Sequence, residues 1–276
     1  MIAIENPYTG EVLGELGLHD GQAIEAMLAR GFHAVGTRGE GERQRILRQV
    51  AEQVGKERDA FARRIAEEGG KPLADAQVEV ERAIDGLRLA AELVEDVFAR
   101  ETVPMERTKA AQGHSAYMFR EPVGLVVAIS AFNHPLNLIV HQVAPAIALG
   151  CPVIVKPSLS TPYSCLALVR CFHEAGVGED MLQVALCADA EAERLACDPR
   201  VGYLSFIGSA KVGWHLRAHV SPGVRVGLEH GGIAPVILGE GAGEDDWLEP
   251  VVKGGMYHAG QVCVSTQRVF VPRARM

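Results

Sequence analysis

The stretch Val123-Gly124-Leu125-Val126-Val127-Ala128-Ile129 decides the fold, because it is an apolar run that ends at a polar turn and precedes a helical pattern at 135–149. A short run of this kind is typical of a strand buried on both faces of a sheet. The alternation continues, with strand patterns at 152–156, 182–186 and 203–207 and helical patterns at 161–175, 190–196 and 210–219. Strands and helices that alternate in this way predict an α/β fold, with a parallel sheet covered by helices on both faces.

The segments on either side of this alternating region have other patterns. Upstream, a turn at 6–10 separates two short strand-like pieces, and long amphipathic helices are predicted at 20–35, 42–68 and 71–100. Residues 108–120 alternate weakly, as an exposed hairpin strand does. Downstream, we predict further strands at 224–228, 234–238 and 268–271 and a helix at 247–259.

The composition argues against several classes of partner. The 276 residues carry a formal net charge of −8, so no nucleic-acid partner is expected. No apolar run reaches the length of a membrane span, and no secretory signal is visible at the N-terminus. None of the six cysteines forms a C-x-x-C pair, which is typical of reduced thiols in a cytoplasmic protein. His215 and His219 have metal-ligand spacing, but Leu216 replaces the glutamate of H-E-x-x-H, so we expect a solvated helix face and no metal site.

Polar residues follow the predicted strands at the edge where parallel α/β sheets bind ligands. Asn133 comes after the strand that ends at Ile129, and Lys156-Pro157-Ser158 closes the next strand. Gly208-Ser209 ends another strand and opens a helix, whose first backbone N–H groups can receive a phosphate. The usual G-x-G-x-x-G dinucleotide fingerprint is missing, and Trp214 stands where the lysine of a P-loop would be.

Two later segments suggest a nucleophile and its base. Cys263 follows Gly260-Gln261-Val262, and Glu229 lies just before the double glycine Gly231-Gly232. If the two side chains meet, the thiol can form a covalent adduct that the acid helps to hydrolyse. Taken singly, each candidate has a structural alternative: an inert core cysteine at Cys263, a surface acid at Glu229, a solvated strand end at Lys156, and a helix cap before Pro135 at Asn133.

Six short motifs occur in a fixed order along the chain. They are Glu121-Pro122-Val123-Gly124, Phe132-Asn133-His134-Pro135-Leu136, Val155-Lys156-Pro157-Ser158, Phe206-Ile207-Gly208-Ser209 with Val212-Gly213, Leu228-Glu229 with Gly231-Gly232, and Gly260-Gln261-Val262-Cys263. Each is weak alone, but the order and spacing resemble the aldehyde dehydrogenase superfamily, NAD(P)-dependent enzymes that oxidise aldehydes to acids. The resemblance implies a Rossmann-like nucleotide-binding domain and the beginning of a second α/β catalytic domain.

The resemblance also implies a role for each matching residue. Cys263 corresponds to the nucleophile, Glu229 to the general base that activates water, and Asn133 to an oxyanion donor beside the backbone N–H of Cys263. The cofactor, NAD or NADP, is expected to contact Lys156, Ser158, Leu159, Phe206, Gly208 and Ser209. In this set Lys156 bonds the adenosine ribose, Ser209 contacts the pyrophosphate, Gly208 allows close backbone approach, and Phe206 lines the nicotinamide side.

Three departures from the family pattern matter. Leu159 stands where members that favour NAD often carry a ribose-binding glutamate, so we expect NADP to bind at least comparably to NAD. Phe132 and His134 replace the more usual neighbours of Asn133 and resemble branches that act on short polar aldehydes, including lactaldehyde and phosphonoacetaldehyde types. The chain also stops at Met276, whereas family members continue much further.

We therefore predict a nucleotide-binding domain at 1–228, with a candidate oligomerisation hairpin at 108–120, and an incomplete catalytic domain at 229–276. The predicted function is the NAD(P)-dependent oxidation of a small aldehyde by a truncated family member, whose full-length form is a homo-oligomer. Two alternatives stay open. One is a nucleotide-binding or interaction module in which Cys263 is vestigial, and the other is a thiol esterase that uses Cys263 and Asn133 without a cofactor.

Overall fold

The N-terminal part of the chain is mainly helical, as its amphipathic patterns predict. In the computed structural model, which describes residues 1–99 and 101–273, strands β1 (Ile2–Glu5) and β2 (Val12–Leu16) pair antiparallel around the predicted turn. Four helices follow: α1 (Gly21–Phe32), α2 (Glu40–Lys56), α3 (Arg58–Gly69) and α4 (Leu73–Val97). Strands β3 (Glu101–Val103) and β4 (Ala116–Met118) then form a short antiparallel hairpin.

Three of these elements differ from the sequence-based prediction. The single helix predicted at 42–68 is wrong, because the backbone leaves the helical region at Glu57 (φ −98°, ψ 16°) and divides it into α2 and α3. The helix predicted at 71–100 ends at Val97, and Arg100 lies outside the described residues. The strand expected at 108–120 is only three residues long, since a 3₁₀ turn occupies Lys109–Ala111.

The middle of the chain builds the sheet that positions the site. Its strands are β5 (Leu125–Ile129), β6 (Val153–Lys156), β7 (Leu182–Val184), β8 (Val201–Gly208) and β9 (Arg225–His230). They are joined by helices α5 (Asn137–Ala148), α6 (Tyr163–Glu174), α7 (Asp189–Cys197) and α8 (Ala210–His219). All neighbouring strands pair in parallel, in the order β7-β6-β5-β8-β9. The predicted α/β fold with a parallel sheet is confirmed.

Successive strand residues face opposite sides of the sheet and belong to two separate cores. Val126 and Val153 pack with the apolar faces of α2, α4, α5 and α6. Val127 and Ile154 pack with those of α1, α7 and α8. Because β5 is buried along its whole length, both faces of the sheet are covered, and the carboxyl edge is held between two packed layers.

The last described segments form a small sheet of their own. Strands β10 (Ala234–Ile237) and β11 (Thr266–Phe270) pair in parallel, with helix α9 (Glu244–Met256) between them in the chain. They are strands, as predicted, but they do not join the five-stranded sheet. Such a β-α-β unit fits the start of a second α/β domain. The boundary at residue 228 stays a prediction, and β9 continues past it to His230; residues 274–276 lie outside the described part.

Candidate active site

The carboxyl edge of the sheet opens into a cleft of about 1010 Å³. The ends of β5, β6, β8 and β9 line it, together with residues 260–263. These four belong to the segment that follows β9, residues 231–273, which we call the tail. The predicted site residues that line this cleft are Cys263, Glu229, Asn133, Lys156, Ser158, Phe206, Gly208 and Ser209. Leu159 is half-buried and is not among the lining residues. The fold thus brings together candidates that are far apart in the sequence, while their individual roles stay predictions.

Cys263 differs from the other cysteines in its exposure. All six thiols are free, and only Cys263 is exposed, whereas Cys197 is half-buried and the remaining four are buried. Burial raises the pKa of the buried thiols, for example that of Cys171 to about 11, and it also raises the pKa of Cys197. An inert core cysteine is therefore the wrong description of Cys263, since it lies at the surface of the cleft.

The double glycine allows the loop that carries Cys263 to approach the end of β9. A Cβ atom on Gly232 would lie 2.8 Å from the carbonyl oxygen of Cys263, so only glycine fits there without a shift. Gln267 joins the same two segments, because its Nε2 donates to the carbonyl of Gly232 at 3.2 Å. Glu229 lies on β9, paired with Ile207 of β8, and its side chain is exposed in the cleft.

Asn133 is bonded to the Cys263 loop and does not cap a helix. Its Nδ2 donates to the carbonyl of Gln261 at 2.7 Å. The helix-cap alternative is wrong, since the first N–H groups of the α5 region, at Leu136 and Asn137, donate instead to Oε1 of Glu79 at 2.9 and 3.0 Å. A side-chain amide has two N–H groups. The bond to Gln261 uses one, and the other can serve a ligand in the cleft.

Lys156 brings a positive charge to the cleft lining. Lys156 is 8% exposed at the end of β6, and its Nζ lies 4.0 Å from Oδ1 of Asp189. Sequence reasoning missed Asp189, although an acidic residue at a helix start just after a predicted strand is a detectable signal. Its side chain is fully exposed, so the ion pair is weak. Ser158 lies beside Lys156, with its Oγ 2.9 Å from that of Ser160.

The turn from β8 into α8, which we call the Gly208-Ser209 cradle, leaves no room for side chains at two glycine positions. A Cβ atom on Gly208 would lie 2.6 Å from the ring of Phe206, and one on Gly213 would collide with the ring of His230. Ser209 caps α8, since its Oγ accepts the N–H of Val212 at 3.4 Å. A helix N-terminus and a buried lysine that line the same cleft fit the pyrophosphate and ribose of a dinucleotide.

Of the two histidines on α8, His215 lines the cleft and His219 does not. His215 and His219 are exposed, and Nε2 of His215 lies 2.7 Å from Oε1 of Glu193. The Nδ1–H of His219 donates to the carbonyl of His215 at 2.7 Å. The candidate ligand atoms of Glu193, His215 and His219 lie within 4.8 Å of one another. That this helix face binds no metal stays a prediction.

The sequence and fold of this chain match known proteins along its whole length. Residues 1–276 match the sequence pattern of the aldehyde dehydrogenase family. Aspartate-semialdehyde dehydrogenase 1 of Pseudomonas canavaninivorans is 34% identical over 273 residues, which are 98% of this chain and 58% of that protein. The 3-sulfolactaldehyde dehydrogenase of Priestia aryabhattai is 32% identical over 269 residues, or 96% of this chain and 56% of that protein.

A solved structure shows the same fold. The glyceraldehyde-3-phosphate dehydrogenase GapN of Methanocaldococcus jannaschii, complexed with NADP, superposes on this chain with a TM-score of 0.93 at 29% sequence identity. The superposition covers 99% of this chain and 60% of the GapN chain. The chain spans somewhat more than half the length of the curated relatives described above. With a family match from residue 1 to residue 276, the chain belongs to the aldehyde dehydrogenase family.

Proposed function

We propose that this chain supplies the cofactor site and the catalytic cysteine of an NAD(P)-dependent aldehyde dehydrogenase that oxidises a small aldehyde to a carboxylic acid. One observation carries the proposal. Cys263, Glu229 and Asn133 converge on one cleft, and the same cleft contains Lys156 and the Gly208-Ser209 cradle. A thiol, a base, an amide donor and a dinucleotide cradle in one cleft are the set of groups that this oxidation needs.

In the proposed mechanism the thiolate of Cys263 attacks the aldehyde carbon and forms a C–S bond. The resulting oxyanion accepts hydrogen bonds from Nδ2 of Asn133 and from the backbone N–H of Cys263. Loss of one such donor costs about 3–4 kcal/mol of transition-state stabilisation. NAD(P), when bound, would accept the hydride that leaves this carbon as the C=O bond re-forms, so that the adduct becomes a thioester. Glu229 then takes a proton from water, which attacks the thioester carbon, releases the acid and restores the thiol.

The cofactor we propose is NAD or NADP. Lys156 and Ser209 would hold its ribose and pyrophosphate, and Leu159 offers no carboxylate to repel a 2′-phosphate. The related GapN structure contains NADP, which supports this choice. Oδ1 of Asp189 lies 4.0 Å from Nζ of Lys156, and the full exposure of Asp189 limits its influence.

For the substrate we propose a short aldehyde with a polar or acidic end. Phe132 is exposed in the cleft beside Asn133, and His134 packs against His258 with ring centroids 4.2 Å apart. Two relatives are named for aspartate semialdehyde and 3-sulfolactaldehyde, which supports this class of substrate.

We further propose a cytoplasmic location and a homo-oligomeric full-length form. The free state of all six cysteines supports a reducing compartment. Among residues 1–99 and 101–273, no helix has the length and apolarity that crossing a membrane requires. The β3–β4 hairpin exposes Tyr117 and is followed by the exposed Phe119, which supports its use as an oligomerisation element.

The decisive test measures aldehyde-dependent NAD(P)H formation and, separately, cofactor binding by calorimetry, with Cys263→Ser as the control. The proposal expects binding in both chains and turnover only with Cys263. Cofactor binding with no turnover and no acylation of Cys263 would instead support a non-catalytic module. Ester hydrolysis that needs Cys263 but no cofactor, without any aldehyde oxidation, would support a thiol esterase.

A further inference from the structure

A buried ion pair lies directly behind Asn133 and takes no part in the proposed chemistry. Lys71 precedes α4 and Glu79 lies on it, and Nζ of Lys71 contacts Oε2 of Glu79 with side chains that are 1% and 0% exposed. Removing two charges from water is costly unless both are well bonded. The groups that bond to Lys71 and Glu79 therefore show which segments of the chain this pair holds in place.

Lys71 bonds to three different segments of the chain. Besides its contact with Glu79, Nζ donates to the carbonyl of Asn133 at 2.8 Å and lies 3.2 Å from Nδ1 of His258. An ammonium has three N–H donors, so these contacts use all of them. One cation thus connects α4, the loop after β5 and the tail segment that leads to Cys263.

Glu79 fixes the same loop three and four residues further on. Its Oε1 accepts the backbone N–H groups of Leu136 and Asn137, where α5 begins. Burial raises the pKa of Glu79, but its contacts with His134 and Lys71 outweigh burial and lower the pKa to about 2. The carboxylate is therefore ionised at neutral pH; burial lowers the pKa of Lys71, and the charge and hydrogen bond of Glu79 oppose that lowering.

The tail segment has a backbone that needs such an anchor. His258 and Ala259 have φ angles of 53° and 56°, in the left-handed region that costs energy for residues other than glycine. The backbone N–H of the buried His258 donates to Oδ2 of Asp75 at 3.0 Å. Burial and the charge of Lys71 lower the pKa of the His258 ring to about 4, so Nδ1 is free to accept from the ammonium.

The cluster is not an open metal site. Ligand atoms of Glu79, His134 and His258 lie within 4.8 Å of one another, which alone would suit a cation. The ammonium of Lys71 already contacts both Glu79 and His258 and supplies that positive charge.

We infer that Lys71, with Glu79, is a positioning residue for the oxyanion site, because its ammonium fixes both the carbonyl of Asn133 and the turn that leads to Cys263. The inference rests on the proposed function, which makes the Asn133 amide and the Cys263 N–H the oxyanion donors. Loss of Lys71 should harm steps that develop an oxyanion and spare steps that do not. A displacement of about 1 Å can slow such a step about 100-fold.

Two reactions of Cys263 distinguish a step that develops an oxyanion from a step that does not. Both are measured on the whole chain without cofactor. With p-nitrophenyl acetate, the thiolate attacks the ester carbon, an oxyanion develops, and p-nitrophenolate leaves as the S-acetyl bond forms. With iodoacetamide, the thiolate displaces iodide from a methylene carbon, and no oxyanion forms. Mass spectrometry of the Cys263 peptide gives both rates for wild type, Asn133→Ala, Lys71→Met and the double variant of Asn133→Ala with Lys71→Met.

Arg43→Met is the matched control. Arg43 is also a buried cation that donates to a backbone carbonyl, that of Ala148 at 2.9 Å, but at the far end of α5. We expect Lys71→Met to slow acylation about 100-fold and alkylation less than about twofold. It should add little to Asn133→Ala, and Arg43→Met should leave the ratio of the two rates unchanged.

Equal slowing of both reactions by Lys71→Met, or no slowing of either, overturns the inference. The proposed function still stands in that case if Asn133→Ala slows acylation. A wild-type chain that is alkylated but not acylated at Cys263 overturns the proposed function and the oxyanion site together. If circular dichroism shows that Lys71→Met alone does not fold, Lys71→Met with Glu79→Gln removes both charges and is judged by the same ratio of rates.

Discussion

Cys263 combines an exposed thiol with a position at the mouth of a cleft, and this combination predicts its reactivity. The thiolate is the reactive form of cysteine, and burial disfavours it. Burial raises the pKa of the thiols of Cys171, Cys187 and Cys197. We therefore expect iodoacetamide to label Cys263 first in the folded chain, then the half-buried Cys197. Peptide mass spectrometry over time measures the order, and Cys263→Ser identifies the background. Faster labelling of Cys187 or Cys197, with Cys263 inert, would contradict any catalytic role.

The surroundings of Lys156 predict the cofactor preference. Leu159 has no ribose-binding carboxylate, so calorimetric titration should show NADP binding at least comparably to NAD. A preference for NAD of more than about tenfold, or about 1.4 kcal/mol, is the contrary result. Leu159→Glu should shift the balance toward NAD.

The Lys156–Asp189 ion pair gives a separate prediction. Oδ1 of Asp189 lies 4.0 Å from Nζ of Lys156 and would oppose a nearby 2′-phosphate. Asp189→Asn should therefore favour NADP, but by no more than about fivefold, because an exposed ion pair contributes about 1 kcal/mol at most. The same titrations measure it, with Asp180→Asn as a control on another loop. A shift toward NAD would show that Asp189 does not act through charge.

At the scale of elements, strands were predicted better than helix ends and long-range contacts. A strand of a covered parallel sheet must be apolar on both faces, and Leu125–Ile129 shows that requirement directly. The break at Glu57 left no periodic signal, because α2 and α3 each bury an apolar face. The contact of Lys71 with His258 joins residues 187 apart in the chain, so no local pattern could reveal it.

Glu68 couples the end of α3 to the start of α6 and predicts a pH-dependent stability. Its buried carboxyl accepts the N–H groups of Tyr163 and Ser164 at 2.7 and 2.9 Å. Burial raises its pKa from 4.5 to about 7, so the folded state binds a proton more tightly than the unfolded state between these values. Its contribution to the free energy of unfolding should therefore fall as pH rises through this window, by about 3 kcal/mol at most.

Thermal unfolding of wild type and Glu68→Gln across the same pH window measures that contribution, and the variant should show the flatter profile. Glu57→Gln is the control: burial opposes ionisation of Glu57, but hydrogen bonds from Gln53 and Arg170 lower its pKa, so it titrates below the window. If wild type instead gains stability relative to Glu68→Gln as pH rises, the two backbone hydrogen bonds outweigh burial and the prediction is wrong.

At the scale of the whole molecule, the alternating pattern predicted the parallel sheet with helices on both faces, while the arrangement of the tail came only from the structure. The six motifs singled out Cys263 and Glu229, and the fold brings both to one cleft, while their catalytic roles stay predictions. Nothing in the sequence of 234–238 or 268–271 showed that these strands pair with each other outside the main sheet. Strand pairing depends on contacts far apart in sequence, which a single chain's local pattern does not contain.

The tail predicts uneven stability and self-association. Ile237, Met256 and Val264 are 79%, 72% and 71% exposed, and β10 and β11 form a sheet of only two strands. An isolated pair of strands is marginally stable, and clustered exposed apolar side chains favour association. Hydrogen exchange should therefore be faster in 234–256 and 264–270 than in 125–208, and sedimentation should show association that increases with concentration.

Ile237→Asn with Met256→Gln should weaken the association, whereas Tyr8→Ser, at a still more exposed site (90%) outside the tail, should not. Slow, uniform exchange through Val271 in a monomeric chain would contradict this view of the tail.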